Sequence, residues 1–403
     1  MSLQRILVVN TKYRVFGGED ANIVDELRFL KNYFEVDYLE YNNADKIRLS
    51  DLIGFFTLSN PISNSRLLTK IKIFKPDIVY IHNTWFKAGL GIFKICKKRN
   101  IKIIHKIHNY RFDCSRFFLS RNHLKHHQQC PACGVKKGNL GIYNKYFSES
   151  IIKSIIINFY SKKYFQILKR YPIKILVLSE FQKKYIDKLG IDNNKISIYS
   201  NPIDISLEEF SRYDSKSNSV IFAGRLVENK GIEEILKIWN KIETNNLILE
   251  IIGTTKDKNI SFKKFETKKI KFLGQLDNSE VKKKIKSSRA VITATKLFEG
   301  QPRVLLEASS YGVPSIYPNF GGMSDFFPPN YMLSFIQFDY EDLEKKILML
   351  HDSKLLSEES KAIKKHLIAN YTEELLLLRF KNILKKDENE QEISSSFSFN
   401  VNI

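Results

Sequence analysis

Short apolar runs alternate with amphipathic stretches along the chain. Ile6 to Val9, Ile78 to His82, Ile101 to His108, Ile175 to Ser179 and Ile196 to Tyr199 form one series. Val220 to Gly224, Leu247 to Ile252, Ile270 to Leu273, Val291 to Ala294 and Pro314 to Tyr317 repeat it. Apolar runs of this length bounded by polar residues predict strands covered on both faces, and strands separated by helical periodicity predict parallel sheets with right-handed crossovers. The fold class that follows is α/β, with two doubly wound, Rossmann-like domains at 1–203 and 204–371. The join falls near Asn201-Pro202-Ile203-Asp204, ahead of the polar stretch Ser206 to Ser219. A last helix, 372–386, is free to pack back on the first domain, while 387–403 lacks periodicity and is expected to fray.

Composition narrows the class. A chain of 403 residues, 43% apolar, can bury two ordinary cores. RILVVN lacks the apolar length of a signal peptide, and no run approaches the roughly 18 to 20 apolar residues of a membrane span, so a cytoplasmic protein, soluble or peripheral, is expected. Cys96, Cys114, Cys130 and Cys133 are too few for a disulfide framework. The net charge of +21 is uneven: residues 1–205 hold 35 Lys and Arg against 16 Asp and Glu, whereas residues 206–403 hold 30 against 28. Between Ile78 and Ser148 the only acidic residue is Asp113. Such a positive field suits acidic lipid headgroups, a lipid diphosphate or nucleic acid, and a lysine-rich composition supplies part of it without any partner.

The chemistry-bearing residues cluster in the second half. In FEGQPRVLLEASSYGVPSI, Glu299 and Glu307 flank a Gly300-Gln301-Pro302 turn that opens a helix. The first amides of such a helix are unpaired and can cradle a phosphate. Carboxylates beside phosphate repel it unless cations intervene, so their fitting role is to accept hydrogen bonds from sugar hydroxyls. The cations lie upstream in AGRLVENKG, where Arg225 and Lys230 sit on the turn between a strand and a helix beginning near Gly231. Open parallel sheets collect ligands at that edge, and the set describes a sugar nucleotide. Either Glu alone, or the Arg and Lys alone, would read as solvated surface.

The first domain offers weaker signals. Its first strand runs into TKYRVFGGED, where Gly17 and Gly18 permit close backbone approach ahead of a helix from about Ala21. Neither GxGxxG nor GxxxxGK[ST] occurs, so an NAD enzyme and an NTPase are unsupported. His108 ends a strand in HNYRFDC, where it can donate to a sugar hydroxyl, or serve structurally. Cys114, Cys130 and Cys133, with His123, His126 and His127 between, could form a structural zinc clip or remain free thiols in a basic loop. In Glu149 to Tyr171, residues Ile152, Ile155, Ile156, Phe159 and Tyr160 share a face that either covers the sheet or meets lipid headgroups.

Taken in order, GGED, HNYR, LSEF (178–181), NPID (201–204), GRLVENKG, EGQPRVLLEA and FGGM (320–323) resemble the retaining glycosyltransferases of family four. The resemblance implies the GT-B architecture, two Rossmann-like domains facing across a cleft. It implies that Arg225 and Lys230 grip a nucleotide sugar's diphosphate, that Glu307 accepts the ribose hydroxyls and that Glu299 contacts the transferred sugar. It further implies that amides near Val304 and Leu305 cap the distal phosphate, that Gly17 and Gly18 line it, and that His108 faces the sugar. No Asp-x-Asp occurs to hold Mg²⁺, so no cofactor is expected beyond the zinc question; Arg225, Lys230 and a helix N-terminus can supply the charge instead. The second cysteine pair that the nearest subgroup often carries is replaced here by GIYNKY. The expected activity is retaining, metal-independent transfer of a hexose-type sugar to a lipid-linked glycan in bacterial surface polysaccharide assembly (O-antigen, capsule or exopolysaccharide). The expected partners are the donor, that acceptor and an anionic membrane surface, with hinge motion near Pro202. A soluble acceptor is the alternative, and nucleic-acid binding is a remote one that leaves both glutamates unexplained. The base is expected near Phe272 to Gln275.

Overall fold

A computed structural model describes residues 3–14, 17–109, 151–205, 217–227, 230–255, 262–296 and 298–398, and of residues 55, 151–158, 263 and 386–398 the backbone alone. The chain divides into two compact units, with the boundary after Pro202 and the segment from Glu373 onward returning to the first.

The first unit contains β1 (Arg5–Lys12), α1 (Gly18–Lys31), β2 (Glu35–Asn42), α2 (Leu49–Thr57), α3 (Pro61–Phe74), β3 (Ile78–Ile81), α4 (Gly91–Lys98), β4 (Lys102–Ile107), α5 (Ile151–Arg170), β5 (Ile173–Val177), α6 (Glu180–Lys188) and β6 (Ile196–Ile198). Its strands form a six-stranded parallel sheet in the order β2-β1-β3-β4-β5-β6. The order reverses between β1 and β3, which leaves a crevice beyond their carboxyl ends. Ile6, Val8, Tyr80, Ile104 and Leu176 are buried because the sheet is covered on both faces.

The second unit contains β7 (Ser219–Ala223), α7 (Ile232–Lys241), β8 (Ile248–Ile252), β9 (Ile270–Gly274), α8 (Asn278–Ser287), β10 (Ala290–Ile292), α9 (Arg303–Ser310), β11 (Ser315–Pro318), β12 (Ser334–Phe335), α10 (Tyr340–Leu348) and α11 (Ser353–Tyr371). Its sheet is also parallel, in the order β12-β11-β10-β7-β8-β9, and reverses between β7 and β10. The core is built from Val220, Phe222, Leu249, Ile251, Val291 and Ile316 with the apolar face of α7, including fully buried Trp239.

A long helix, α12 (Glu373–Ser398), closes the chain. Leu376, Phe380, Ile383 and Leu384 enter the first unit's core, where Phe380 packs against Phe34, Tyr80 and Tyr199. The sequence reading ends this helix at 386 and frays the rest. The backbone instead stays helical to Ser398, since a helix anchored at its base gains a bond per added residue and no Gly or Pro interrupts 387–398.

Two strands were not read from the sequence, and one helix start is corrected. β2 and β12 carry no long apolar run because both are edge strands, half-buried or short. Helix α1 starts at Gly18 rather than near Ala21, because the Asp20 carboxylate accepts the Gly17 N–H at 3.1 Å and closes a cap there. On α5, Tyr160 is buried as the stripe read along 152–160 requires, and Tyr164, Ile167 and Leu168 continue it, whereas Phe159 is exposed beneath Lys163; the side chains of Ile152, Ile155 and Ile156 lie outside the described residues.

Candidate functional site

In the second unit the sheet reversal brings two loops to one edge. The first follows β7: Gly224 and Gly253 are so close that a Cβ on Gly253 would lie 1.8 Å from the Gly224 carbonyl oxygen, and the turn runs through Arg225 to Lys230. Gly231 closes it at φ +69°, with a built Cβ only 2.0 Å from the carbonyl oxygen of Ala294. Only glycine fits both demands, so the β7 turn is locked against the loop after β10.

That contact sets the charges. Lys230 is ion-paired with Glu299, and Glu299 also accepts from the Thr295 hydroxyl at 3.3 Å. The two residues expected to hold different parts of a ligand thus hold each other. A carboxylate that neutralises Lys230 is a partner an incoming diphosphate must displace or share. Arg225 is exposed; its carbonyl accepts from the Val227 N–H at 3.0 Å, and its guanidinium makes no hydrogen bond or ion pair among the described residues. Beside them Lys296 pairs with Glu234 at 2.7 Å, and Gln337 donates to the Thr295 carbonyl at 3.2 Å. The loop is backed by Phe298 stacked on Phe320, 4.7 Å between centroids, and by the Gly322 N–H donating to the Glu299 carbonyl at 3.0 Å. FGGM therefore supports Glu299 from behind.

Helix α9 begins after Pro302, as the proline-opened turn predicts. Gly300 and Gln301 are buried in that turn. The first-turn amides are not all open. Leu305 and Leu306 donate to the Pro302 carbonyl at 3.1 and 3.3 Å, so the Leu305 amide is engaged here, whereas the Val304 amide has no backbone partner among the described residues. The tight turn forced by Pro302 is the reason. Glu307 is buried one turn on, and its Oε1 accepts from Arg303 Nε at 2.8 Å. The i,i+4 spacing holds that carboxylate in place with Oε2 uncommitted among described residues.

In the first unit, Gly17 N-caps α1 in extended backbone, and a Cβ there would meet nothing within 4 Å. The space over the Gly17-Gly18 turn is open. His108 lies beyond β4 in a small pocket shared with Glu19, His82, Asn83, Asn109 and Tyr164. Its Nε2 is 2.9 Å from His82 Nδ1, with the rings stacked at 25°. Glu19 accepts from the Tyr13 hydroxyl at 2.9 Å and from Asn109 Nδ2 at 3.2 Å.

Burial holds His108 well below the ordinary imidazole range, with His82 and Lys106 acting in the same direction. Burial does the same to His82, again with Lys106. Both rings are neutral at pH 7 and share a single proton in their contact. Beneath them Lys106 and Glu26 form a fully buried ion pair at 2.8 Å, and Glu26 also accepts from the Tyr80 hydroxyl at 2.5 Å.

The sequence reading did not single out His82, Glu19, Thr295 or the Lys230–Glu299 contact. His82 had a signal, since it ends the run IVYIHN at a carboxyl edge. The proposed zinc residues Cys114, Cys130 and Cys133, with the intervening histidines, lie outside the described residues, as do Tyr110 and Arg111.

Comparison with known proteins adds a family. Residues 206–366 match the model of "Glycosyl transferases group 1". The chain is 28% identical over 151 residues, 36% of itself and 42% of the relative, to the amylovoran biosynthesis glycosyltransferase AmsD of Erwinia amylovora. It is 28% identical over 150 residues, 34% of itself and 38% of the relative, to the uncharacterized glycosyltransferase MJ1607 of Methanocaldococcus jannaschii. The alignment thus spans less than half the length of either curated relative. Among solved structures, Anabaena Alr3699/HepE in complex with UDP and glucose aligns with a TM-score of 0.66 at 12% identity, covering 95% of this chain and 100% of that one. The lipopolysaccharide outer core galactosyltransferase WaaB aligns at 0.60 and 18% identity, with coverage of 95% and 100%. At such identities the likeness is one of fold, that of GT-B glycosyltransferases. Residues 206–366, which make up most of the second Rossmann-like unit, therefore form a glycosyl transferases group 1 domain.

Proposed function

We propose that the protein is a retaining, metal-independent glycosyltransferase that moves a hexose-type sugar from a nucleoside diphosphate onto a lipid-linked glycan in surface polysaccharide assembly. The observation that carries the donor half of this reading is the meeting of Lys230 and Glu299 at the β7/β10 reversal, with Arg225 and α9 on the same strand edge. HepE, of similar fold, is described with UDP and with UDP-glucose, and AmsD is described as acting in amylovoran biosynthesis.

Departure of the nucleoside diphosphate puts negative charge on its distal phosphate. Lys230, Arg225 and the Val304 amide are the donors suited to that charge, and fixed donors lower the barrier by favouring the transition state over the ground state. Glu299, once Lys230 turns to phosphate, is free to accept from a sugar hydroxyl, and Glu307 Oε2 suits a ribose hydroxyl. Among the described residues none is placed as a covalent nucleophile, which favours front-face attack by the acceptor hydroxyl. Among the described residues no helix is long and apolar enough to cross a membrane, so a lipid-linked acceptor would be met at the bilayer surface.

Thermal-shift titration with UDP-, GDP- and ADP-sugars, followed by transfer assays with Glu299→Ala, tests the reading. A nucleotide sugar should raise Tm, and Glu299→Ala should slow transfer. Unchanged transfer with the true donor would remove the role given to Glu299.

A further inference from the structure

Helix α2 is built inside out. Its inward face is Asp51, Gly54 and the capping residue Leu58, while Leu49, Leu52, Ile53 and Phe56 are 74, 48, 43 and 65% exposed. These positions follow the i, i+3, i+4, i+7 spacing of one helical face. A soluble surface helix places such residues against the core and its charges outside.

The orientation is locked by polar contacts. Asp51 accepts from Asn60 Nδ2 at 2.8 Å and from the Arg48 N–H at 2.9 Å, and it pairs with buried Lys87 at 3.5 Å. Gly54 lies against Asn60, where a Cβ would come within 2.8 Å of the Asn60 Cβ. Rolling the helix to bury its leucines would break the Asn60 contact and take the carboxylate from Lys87, leaving its Nζ with only the Asp45 and Lys46 carbonyls at 3.1 and 3.2 Å. The buried contacts of Asp51 therefore hold an apolar face outside.

We infer that the outward face of α2 is a membrane-docking surface that inserts Leu49, Leu52, Ile53 and Phe56 into an anionic bilayer. The occupant is argued from charge. Lys46 and Arg48 precede the helix, whose one acidic residue, Asp51, is turned inward, and Lys72 and Lys75 follow at the end of α3, where Lys70 is instead paired with Asp37 at 2.6 Å and Arg66 donates to the Glu40 carbonyl at 2.9 Å. Lys46, Ile47 and Arg48 lead into the helix and are exposed. A short helix with a full apolar face and cationic flanks lies in the headgroup boundary, its apolar residues among acyl chains and its cations at phosphates. The inference deepens the membrane part of the proposed function and rests on that reading only for its purpose, since docking itself requires no donor and no turnover.

The test is co-sedimentation of the full chain with phosphatidylcholine vesicles containing phosphatidylglycerol, beside Leu49→Gln/Leu52→Gln/Ile53→Gln, Lys46→Gln/Arg48→Gln and, as a control of exposed apolar residues elsewhere, Met332→Gln/Ile336→Gln. The triple variant should bind at least about 30-fold more weakly and the cation variant about 10-fold, while the control is unchanged. Because all the altered residues face outward, circular dichroism and Tm should match the unaltered chain. A solvatochromic dye on Leu52→Cys should shift to the blue on vesicle addition. Equal binding by the triple variant and the unaltered chain, no dye shift, or a concentration-dependent dimer that the triple variant abolishes without changing vesicle binding would each overturn the inference. Retained transfer to a water-soluble acceptor alongside lost vesicle binding separates failure of docking from failure of the transferase reading.

Discussion

His82 Nδ1 lies 2.9 Å from His108 Nε2, and the far nitrogens, His82 Nε2 and His108 Nδ1, are buried without a hydrogen-bond partner among the described residues. Two neutral rings carry two protons between them. One sits in the shared contact, so the other is an N–H on one far nitrogen, opposite a bare lone pair on the other. If His82 donates, His108 presents Nδ1–H; if His108 donates, it presents a lone pair. His82 thus sets whether His108 holds an N–H or a lone pair at Nδ1, on which a proposed role toward a sugar hydroxyl would depend. Replacing His82 with Phe should lower kcat about 10-fold or more with little change in donor KM, and His82→Asn, which retains a polar partner, should recover part of the loss. Nitrogen shifts of the two rings in the unaltered protein report the tautomer.

The same burial makes acid stability legible. A histidine whose pKa in the fold lies below its unfolded value binds fewer protons folded than unfolded. Stability is then complete above the unfolded pKa and is lost as pH falls toward the folded one. Burial takes His105 from 6.5 to about 4, and His82 and His108 shift in the same direction. Tm should decline as pH is lowered from about 6.5 toward 4, and none of the three rings should titrate between pH 7 and 8.

Lys230 and Glu299 are coupled, so their substitutions should not add. Lys230→Ala and Glu299→Ala should each cost about 10² to 10³ in turnover, or about 3 to 4 kcal/mol, and the double variant little more than the worse single. Full additivity in steady-state kinetics would mean that the two side chains act on the donor independently.

Two glycines should separate stability from ligand space. Gly231→Ala meets both a left-handed backbone and the Ala294 carbonyl, and should destabilise by about 3 kcal/mol or more in urea unfolding. Gly17→Ala meets extended backbone and open space, and should leave Tm unchanged, while any loss of transfer activity would report the role expected of Gly17 beside a ligand.

Removing one member of the buried Glu26–Lys106 pair should cost about 3 to 5 kcal/mol, because the survivor is left charged in the interior. Glu26→Leu/Lys106→Met should recover most of it, measured by the same unfolding experiment.

Ending the chain at Thr372 removes Leu376, Phe380, Ile383 and Leu384 from the first unit's core, on the order of 6 to 12 kcal/mol of burial, which is comparable to the stability of a domain. The first unit should then fail to fold cooperatively. A chain ending at Lys386 keeps all of these contacts and should melt near the full-length temperature in calorimetry.

Much of the fold was written locally. A strand covered on both faces needs an unbroken apolar run, so Ile6 to Val9 and Val220 to Ala223 declared themselves; β2, an edge strand with one wetted face, did not. The turn at Gly-Gln-Pro was legible because proline and the helix start are a matter of backbone geometry. On α5 the burial of Tyr160 was legible but its partners were not: Thr84 and His105, far off in the chain, meet the hydroxyls of Tyr160 and Tyr164 at 2.6 Å.

By itself the sequence determined two parallel α/β units, the basic surplus of the first half, and Arg225, Lys230 and Glu299 on loops beside strands with Glu307 on the helix that follows, all consequences of periodicity and composition. Only tertiary structure decided that Lys230 meets Glu299 across 69 positions, that His82 faces His108, and that α2 turns its leucines outward. Each depends on which strands neighbour one another or on a buried ion pair formed at a distance. Contacts between residues far apart in the chain leave no period for a sequence to display.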